Sequence, residues 1–151
     1  MNQYLTVFLL SMTPVGELRA SLPVALLVYK MPLLEAFLLS YIGNIIPPLL
    51  VIFLLGPVSE FLRKRYKIFD RFFNWLFSYT RGRSEMIERY KMIGLIIFIG
   101  IPLPFTGAWT GSIASFLLGI SPFKAILSIL IGVFIAGVIV TLSCLGIISI
   151  F

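Results

Sequence analysis

Residues 14–23 read PVGELRASLP and place a glutamate and an arginine inside a strongly apolar segment. A second stretch, PLPFTGAWTG at residues 102–111, interrupts another apolar segment and carries no charge. In lipid, irregular backbone is tolerated only where protein buries it or where it lines a cavity. An ionisable residue at such a place indicates a functional site. The two stretches therefore predict two loops that break helices inside a membrane.

The composition is typical of an integral membrane protein. Hydrophobic residues make up 60% of the 151 residues and charged residues 12%, against about 45–50% and about 25% in soluble domains. The chain has no histidine and one cysteine, Cys144, which argues against an internal disulfide, Cys/His catalysis and a thiolate-rich zinc site. We therefore expect a protein that is not an enzyme and that uses no metal or other cofactor.

Segment lengths distinguish spanning helices from shorter ones. A bilayer core of about 30 Å needs roughly 20 apolar residues of helix. Residues 33–56 and 123–150 are long enough to span, whereas the apolar segments on either side of each loop are not. We predict re-entrant hairpins of two half-helices over residues 2–29 and 92–120. The alternative joins the two arms of each hairpin into one kinked spanning helix.

The chain also resembles itself at an offset of 90 residues. A hairpin that returns to its own side, followed by one spanning helix, makes an odd number of crossings, so the second copy is expected to be inverted. The predicted fold is therefore all-α, with repeat one at residues 1–56 and repeat two at residues 92–151. The matching pairs are Pro14 with Pro104, Pro32 with Pro122 and Gly56 with Gly146.

Residues 57–91 form a basic connector between the repeats. They hold nine bases and four acids, and so carry most of the net charge of +6. The positive-inside rule places such a segment on the cytoplasmic side, and its apolar flanks argue against nucleic acid as a partner. We predict an amphipathic interfacial helix that attracts anionic lipid or simply anchors the topology. Its apolar stripe comprises Leu62, Tyr66, Phe69, Phe73 and Leu76.

Glu17 and Arg19 are the first candidates for a substrate or ion site. Leaving either charge unpaired inside a membrane is costly. In a functional role Glu17 would carry a proton or cation, and Arg19 would hold an anionic substrate, since guanidinium suits phosphate. In a structural role the two residues would lock the hairpin, pair with each other or meet partners elsewhere, or lie at the outer interface in contact with water.

Four further residues are candidates for substrate or ion binding. Thr106 and Thr110 offer hydroxyl groups, and free amides where a half-helix begins would make an anion site. Trp109 would form an apolar wall or a cation–π surface, or serve only in packing. Asn44 lies beside two prolines in the first long span and would face a cavity or bond to another helix. The predicted hairpin breakers are Pro14, Gly16, Pro23, Pro102, Pro104, Gly107 and Gly111.

The two loops, residues 14–23 and 102–111, resemble those of the small multidrug export family of membrane proteins, and the resemblance covers nearly the whole chain. More distantly, the plan of two hairpins resembles the DedA superfamily. That resemblance implies movement of lipid-linked phosphates or phospholipids, coupled to protons, with acids in the first hairpin and arginines in the second. Glu17 and Arg19 fit the first hairpin. The second hairpin has no arginine, which leaves the substrate open.

Three functions follow as hypotheses. The first is a secondary transporter or flippase for an amphipathic substrate, with lipid phosphate favoured and protons exchanged at Glu17. The second is a proton-coupled exporter of hydrophobic cations, against which Arg19 counts. The third is a passive channel or a structural membrane subunit. In each case we expect a multi-pass protein of a prokaryotic plasma membrane, and a homodimer, because 151 residues offer few walls with which to enclose a pathway.

Overall fold

The computed structural model describes residues 2–80, 85–103 and 106–150, and within them the side chains of residues 76, 77, 79, 80 and 85–88 are not described. Over these ranges the fold is all-α, with no strand. The predicted breaker Pro104 and the side chain of Leu76 lie outside the described part. The helices are α1 (Gln3–Met12), α2 (Glu17–Pro23), α3 (Leu33–Arg65), α4 (Lys67–Thr80), α5 (Glu85–Gly100), α6 (Ala108–Leu117) and α7 (Pro122–Ile150).

Helices α3 and α7 are long and apolar enough to cross a membrane, by length and composition. Their outward-facing side chains are apolar: Phe53 and Leu142 are each 63% exposed. Small hydroxyl residues such as Ser40 and Ser128 are instead fully buried between helices. This is the reverse of a soluble protein and matches helix packing in lipid, where small residues let backbones approach. The chain is therefore a membrane protein.

A short helix followed by a long one occurs twice in the chain. Helix α2 begins at Glu17 and α6 at Ala108, while α3 begins at Leu33 and α7 at Pro122. Both pairs of starting points lie within one residue of the 90-residue offset found in the sequence. Each short helix also follows a loop that separates it from an earlier helix, α1 or α5. The two halves thus share an order of elements.

The residues predicted as a connector, 57–91, are distributed over three helices. Helix α3 continues through Pro57 to Arg65, and α5 already begins at Glu85. A proline removes one backbone hydrogen bond, and here that loss alone does not end a helix. The actual break is at Tyr66, whose backbone is extended.

Arg63 spans this break. Its Nε lies 3.3 Å from Asp70 Oδ1, and its Nη2 donates to Asn74 Oδ1 at 2.6 Å. These contacts hold α4 beside the end of α3. Phe73 of α4 is buried and packs edge-on against Phe116 of α6, with ring centroids 6.0 Å apart.

Two of the predicted hairpin breakers lie inside helices, so their prediction as breaks was wrong. Pro23 ends α2, but the chain continues into a π-helical turn, Val24–Val28, closed by the Tyr29 N–H and the Val24 carbonyl at 3.0 Å. Gly111 lies in α6, where an added Cβ would be 2.6 Å from Ile99 Cδ1. Proline is compatible with a widened turn, and glycine here provides close packing of α6 on α5.

Helix α2 occupies the interior between the two long helices. Gly137 of α7 faces Phe37 of α3 and Leu18 of α2, all within contact distance of an added Cβ. Tyr41 of α3 donates its hydroxyl to the Leu130 carbonyl of α7 at 3.0 Å. The central position of α2 decides which parts of the molecule its charged residues can reach.

Small residues that recur every four positions in α7 form a packing face. Ser128, Gly132 and Ala136 are all buried. At Gly132 an added Cβ would lie 2.7 Å from Ile99 Cβ and 3.2 Å from the Ile96 carbonyl oxygen of α5. The contact is with rigid atoms rather than with the end of a flexible side chain.

Replacing Gly132 by Ala should therefore overpack the α5–α7 contact and lower stability by about 1–3 kcal/mol. Thermal unfolding in detergent measures the change. Gly94→Ala is the matched control, because nothing lies within 4 Å of its added Cβ and alanine favours helix. Equal Tm values for the two variants would contradict this packing.

Candidate functional site

The two loops of the molecule meet each other. Between them lies a partly enclosed cavity of about 440 Å³. Its walls include Val15 and Glu17 from the first loop and α2, and Thr106 and Thr110 from the second loop and α6. Residues 90 positions apart in the sequence thus contribute to one site, and the site lies where the two similar halves of the chain touch.

Glu17 is buried in this site and sits at the start of α6. It is 6% exposed and is the one buried charged side chain in the described residues. Its Oε1 accepts the backbone N–H of Trp109, in the first turn of α6, at 3.3 Å. The first N–H groups of a helix lack internal partners and form the positive end of its dipole. Glu17 of α2 therefore caps α6 across the interface.

Gly107 makes room for this carboxylate. It is the N-cap of α6, and an added Cβ would lie 2.2 Å from Glu17 Oε2. Its φ of −179° is extended backbone that any residue adopts. Glycine is therefore needed at position 107 for space and not for conformation, and no other side chain fits without displacing the carboxylate.

The backbone at Glu17 is itself strained. Its φ is 49°, in the left-handed region that a residue with a Cβ rarely adopts. Such a conformation costs of order 1–3 kcal/mol and persists only where the surroundings enforce it. Here the Glu17 N–H donates to the Thr13 carbonyl at 3.0 Å while the side chain is held at α6. Strain of this kind is typical of functional sites.

Arg19 binds the other side of the same break. Its Nη1 donates to the Leu103 carbonyl, and its Nη2 donates to Thr106 Oγ1 at 3.2 Å and to the Ile101 carbonyl at 3.4 Å. These carbonyls follow directly after the end of α5 at Gly100. The C-terminal end of a helix is its negative end and attracts cations. Arg19 therefore compensates the end of α5 as Glu17 compensates the start of α6.

A third contact runs from the start of α6 back to the end of α1. The indole N–H of Trp109 donates to the Met12 carbonyl at 3.1 Å. Met12 is the last residue of α1, so its carbonyl lacks an intrahelical partner. Each loop thus hydrogen-bonds to backbone groups of the other, and the role of Trp109 includes this hydrogen bond.

The structure brings together five of the six predicted site residues, namely Glu17, Arg19, Thr106, Trp109 and Thr110. Asn44 is not with them: it lies on the buried face of α3 and does not line this cavity. At the start of α6, where the sequence predicts an anion site, the chain's own Glu17 accepts the Trp109 N–H.

Sequence reasoning missed the partners of these side chains. They are mostly backbone groups: the Trp109 N–H and the carbonyls of Met12, Ile101 and Leu103. The signal in the sequence that could have revealed these partners is electrostatic. A loop with one acid and one base was expected to sit inside the same membrane as an uncharged loop between two helix ends, and the two are complementary.

Gly107→Ala should expel the Glu17 carboxylate and cost about 1–3 kcal/mol. In a Glu17→Ala background the same substitution should cost much less, because no carboxylate remains for the new methyl group to meet. A double-mutant cycle by thermal unfolding in detergent measures this coupling. Equal costs of Gly107→Ala in both backgrounds would mean that Glu17 does not occupy this position.

Comparison with known proteins gives one match. No curated protein and no solved structure matches the chain. Residues 17–139 match the model of the family described as "Putative small multi-drug export protein". This region begins at Glu17, includes both charged residues of α2 and the whole second loop, and covers well over half of the 151 residues. The chain belongs to the small multi-drug export protein family.

Proposed function

We propose that this protein is a secondary transporter that exports small amphipathic compounds in exchange for protons, with the cavity between the loops as its substrate site. The observation that carries the proposal is the buried Glu17, which lines the cavity at the contact between the two halves. A buried acid in a membrane protein is a functional site by default. The family description, a small multi-drug export protein, agrees with this activity.

Protonation of Glu17 is the proposed coupling step. As a carboxylate, Glu17 is attracted to the amides and positive end of α6. As a neutral acid it loses most of that attraction, so the contact between α2 and α6 weakens. Binding of a proton would then loosen the two halves, and binding of a cationic substrate would compete with the proton for the same carboxylate.

The charges of the site favour a cationic substrate. Arg19 already donates to three neutral acceptors of the second loop, so its guanidinium is hydrogen-bonded inside the protein. Glu17 is the group whose charge can change. Val15, 96% exposed, and Leu103, 55% exposed, add apolar surface at the cavity, which suits the hydrophobic part of an amphipathic molecule.

A lipid phosphate is the second candidate substrate. Arg19, Thr106 and Thr110 all line the cavity, and a guanidinium with two hydroxyl groups is a chemically suitable set for a phosphate head group. A flippase of the DedA kind would use this set. In that case Arg19 would have to exchange its carbonyl partners for the phosphate. A passive channel or a structural subunit is the third candidate, and it would need no proton exchange.

We further propose that α1 with α2, and α5 with α6, are re-entrant hairpins in oppositely oriented halves. None of these four helices is long and apolar enough to cross a membrane by itself, as α3 and α7 are. The ends of the short helices would then meet inside the bilayer, and rocking of the halves would give alternating access. The working unit is proposed to be a homodimer in a prokaryotic plasma membrane.

Helix α4 is proposed to lie in the cytoplasmic interface. Ile68 and Trp75 are 81% and 61% exposed and lie on one side of the helix, and the exposed Lys67 and Arg71 flank them. Apolar and aromatic groups beside basic ones suit the headgroup region of an anionic leaflet. Membrane lipids are thus partners of the protein in either transport reaction.

Transport in proteoliposomes tests the function. With an imposed pH gradient, wild-type protein should move ethidium. Glu17→Gln should lower the gradient-driven rate by about tenfold or more, because the glutamine side chain does not bind and release a proton. Glu60→Gln, which removes an exposed acid of α3, should keep the rate. A second arm follows a fluorescent polyprenyl phosphate. Movement of that probe alone would favour the flippase, and movement unaffected by the gradient or by Glu17→Gln would indicate a passive pore.

Cysteine labelling tests the hairpins. Gln3 and Lys30 are exposed at the two ends of the first hairpin, and Lys64 is exposed at the far end of α3. With Cys144 buried, a cysteine introduced at Gln3 or Lys30 should react with an impermeant maleimide from the same face of the membrane. A cysteine at Lys64 should react from the opposite face. Labelling of positions 3 and 30 from opposite faces would mean a single kinked spanning helix.

A further inference from the structure

A mostly apolar cavity of about 300 Å³ lies on the second half of α3, against the turn between α6 and α7. Ile52 and Gly56 of α3 contribute to its walls, as do Ile120 of the turn and Pro122 at the start of α7. Nothing lies within 4 Å of a Cβ added to Gly56, so α3 borders open space here instead of packed protein. We call this space the Gly56 cavity.

A second mostly apolar cavity, of about 370 Å³, lies on the last part of α7, against the turn before α3. Its lining includes Leu145 and Ile148 of α7, together with Leu26, Leu33 and the exposed Lys30. Within the residues that the structure describes, Lys30 makes no hydrogen bond and no ion pair. We call this space the Lys30 cavity.

The two cavities occupy equivalent places in the two halves of the chain. Leu26 and Lys30 of one correspond, at the 90-residue offset, to Phe116 and Ile120 of the other. In both, the segment that leads into one long helix lies against the far half of the other long helix. A cavity that recurs in both halves is a feature of the fold and not a defect of one turn.

Helices α3 and α7 run antiparallel, which places the cavities at opposite ends of this helix pair. Phe37 of α3 lies beside Gly137 of α7. Tyr41, one turn further along α3, donates to the Leu130 carbonyl of α7. Contacts thus move backward along α7 as they advance along α3.

The separation of the cavities is close to the thickness of a bilayer. Leu33 and Gly56, which line one cavity each, both belong to α3. At about 1.5 Å of rise per residue they are about 34 Å apart along the helix. The hydrocarbon core of a bilayer is about 30 Å thick. Each cavity therefore lies near one edge of the hydrocarbon core, where the acyl chains of one leaflet begin.

We propose that each cavity binds an acyl chain of a membrane phospholipid, so that the protein holds one lipid from each leaflet. A mostly apolar cavity offers water few of the polar partners that it needs, and an empty one deprives its walls of van der Waals contacts. Lipid chains surround a membrane protein at this depth and fit between isoleucine and leucine side chains. Both volumes lie in the range of about 300–1,000 Å³ that is typical of ligand pockets.

Lys30 gives the lipid at its cavity a preferred headgroup. The acid nearest to it in the sequence, Glu35, accepts the Tyr4 hydroxyl at 3.1 Å, and Lys30 itself has no such partner in the described part of the chain. A lysine near the membrane surface attracts anionic lipid. At the Lys30 cavity we therefore expect phosphatidylglycerol to be preferred over the zwitterionic phosphatidylcholine.

These lipid sites are separate from the cavity between the loops, which is lined by the two loops and by the starts of α2 and α6. Their occupation by lipid requires that the protein lies in a membrane, whatever substrate it transports. A transport assay that fails therefore does not decide this proposal, and the test below does not decide the transport function.

Photo-crosslinking of the protein in lipid nanodiscs tests the proposal. The probe is a phosphatidylglycerol with a diazirine near the glycerol end of one acyl chain, and mass spectrometry identifies the labelled residues. Label should concentrate on lining residues such as Ile52 in the Gly56 cavity and Leu145 in the Lys30 cavity. Phe53 and Leu34 are depth-matched references, because they are 63% and 67% exposed and line neither cavity. They should be labelled more weakly.

Gly56→Leu places a side chain in the open space at this wall. It should lower labelling in the Gly56 cavity by about fourfold or more, the factor that displacement of one buried CH₂ group gives, and leave the Lys30 cavity unchanged. Gly94→Leu is the matched control, because Gly94 is an exposed glycine of α5 with nothing within 4 Å of an added Cβ. It should keep the labelling of both cavities.

Lys30→Gln tests the headgroup preference at an exposed position. The ratio of phosphatidylglycerol to phosphatidylcholine label at Leu145 should fall by about fivefold, the factor expected for one lysine near a membrane surface. Lys67→Gln, which changes an exposed lysine of α4, should leave that ratio unchanged.

The proposal is overturned if Phe53 and Leu34 are labelled as strongly as the lining residues, since lipid then covers the surface evenly. It is also overturned if folded Gly56→Leu protein keeps the full labelling of its cavity. Should Gly56→Leu fail to fold, Lys30→Gln decides in its place, and an unchanged lipid ratio at Leu145 would contradict the proposal.

Discussion

The structure depends on one contact, that of the Glu17 carboxylate with the backbone amides at the start of α6. A buried carboxylate with no partner would be prohibitively costly in lipid, and so would a helix end whose N–H groups have none. The hydrogen bond between the carboxylate and the helix end reduces both of these costs. Because Glu17 belongs to α2 and the amides to α6, the pairing also fixes the two halves of the chain against each other.

Arg19 extends the same principle to the end of α5, and Trp109 to the end of α1. The three side chains bind at or beside three helix termini: Glu17 at the start of α6, Arg19 at carbonyls just after the end of α5, and Trp109 at the end of α1. In water such termini would bind solvent. Within a membrane they must be paired by protein, which accounts for the two charged residues in the short and otherwise uncharged helix α2. The site of proposed chemistry is therefore also the site that holds the fold together.

Sequence predicted both long helices, because a bilayer imposes length and apolar character on what spans it. It also predicted a break in each half, but α2 and α6 begin inside the stretches predicted as loops. Glu17 and Arg19 were its first candidates for a site, and the structure places both at the contact between the loops. It did not predict that these residues bind the second loop, since their partners are backbone groups that every sequence contains. Nor did it predict the roles of Pro23 and Gly111, because the same residue types serve breaks and close packing alike. Nor did it predict that α3 continues to Arg65, because Pro57 does not end the helix.

The left-handed backbone conformation of Glu17 means that the contact between the loops is formed at the cost of backbone strain. A φ of 49° at a residue with a side chain costs of order 1–3 kcal/mol, which is recovered if residue 17 relaxes. A difference of one pH unit is worth about 1.4 kcal/mol per proton. The strain at Glu17 and a gradient of one to two pH units are thus of similar size, so relaxation of this one residue would offset much of the free energy needed to part the two loops.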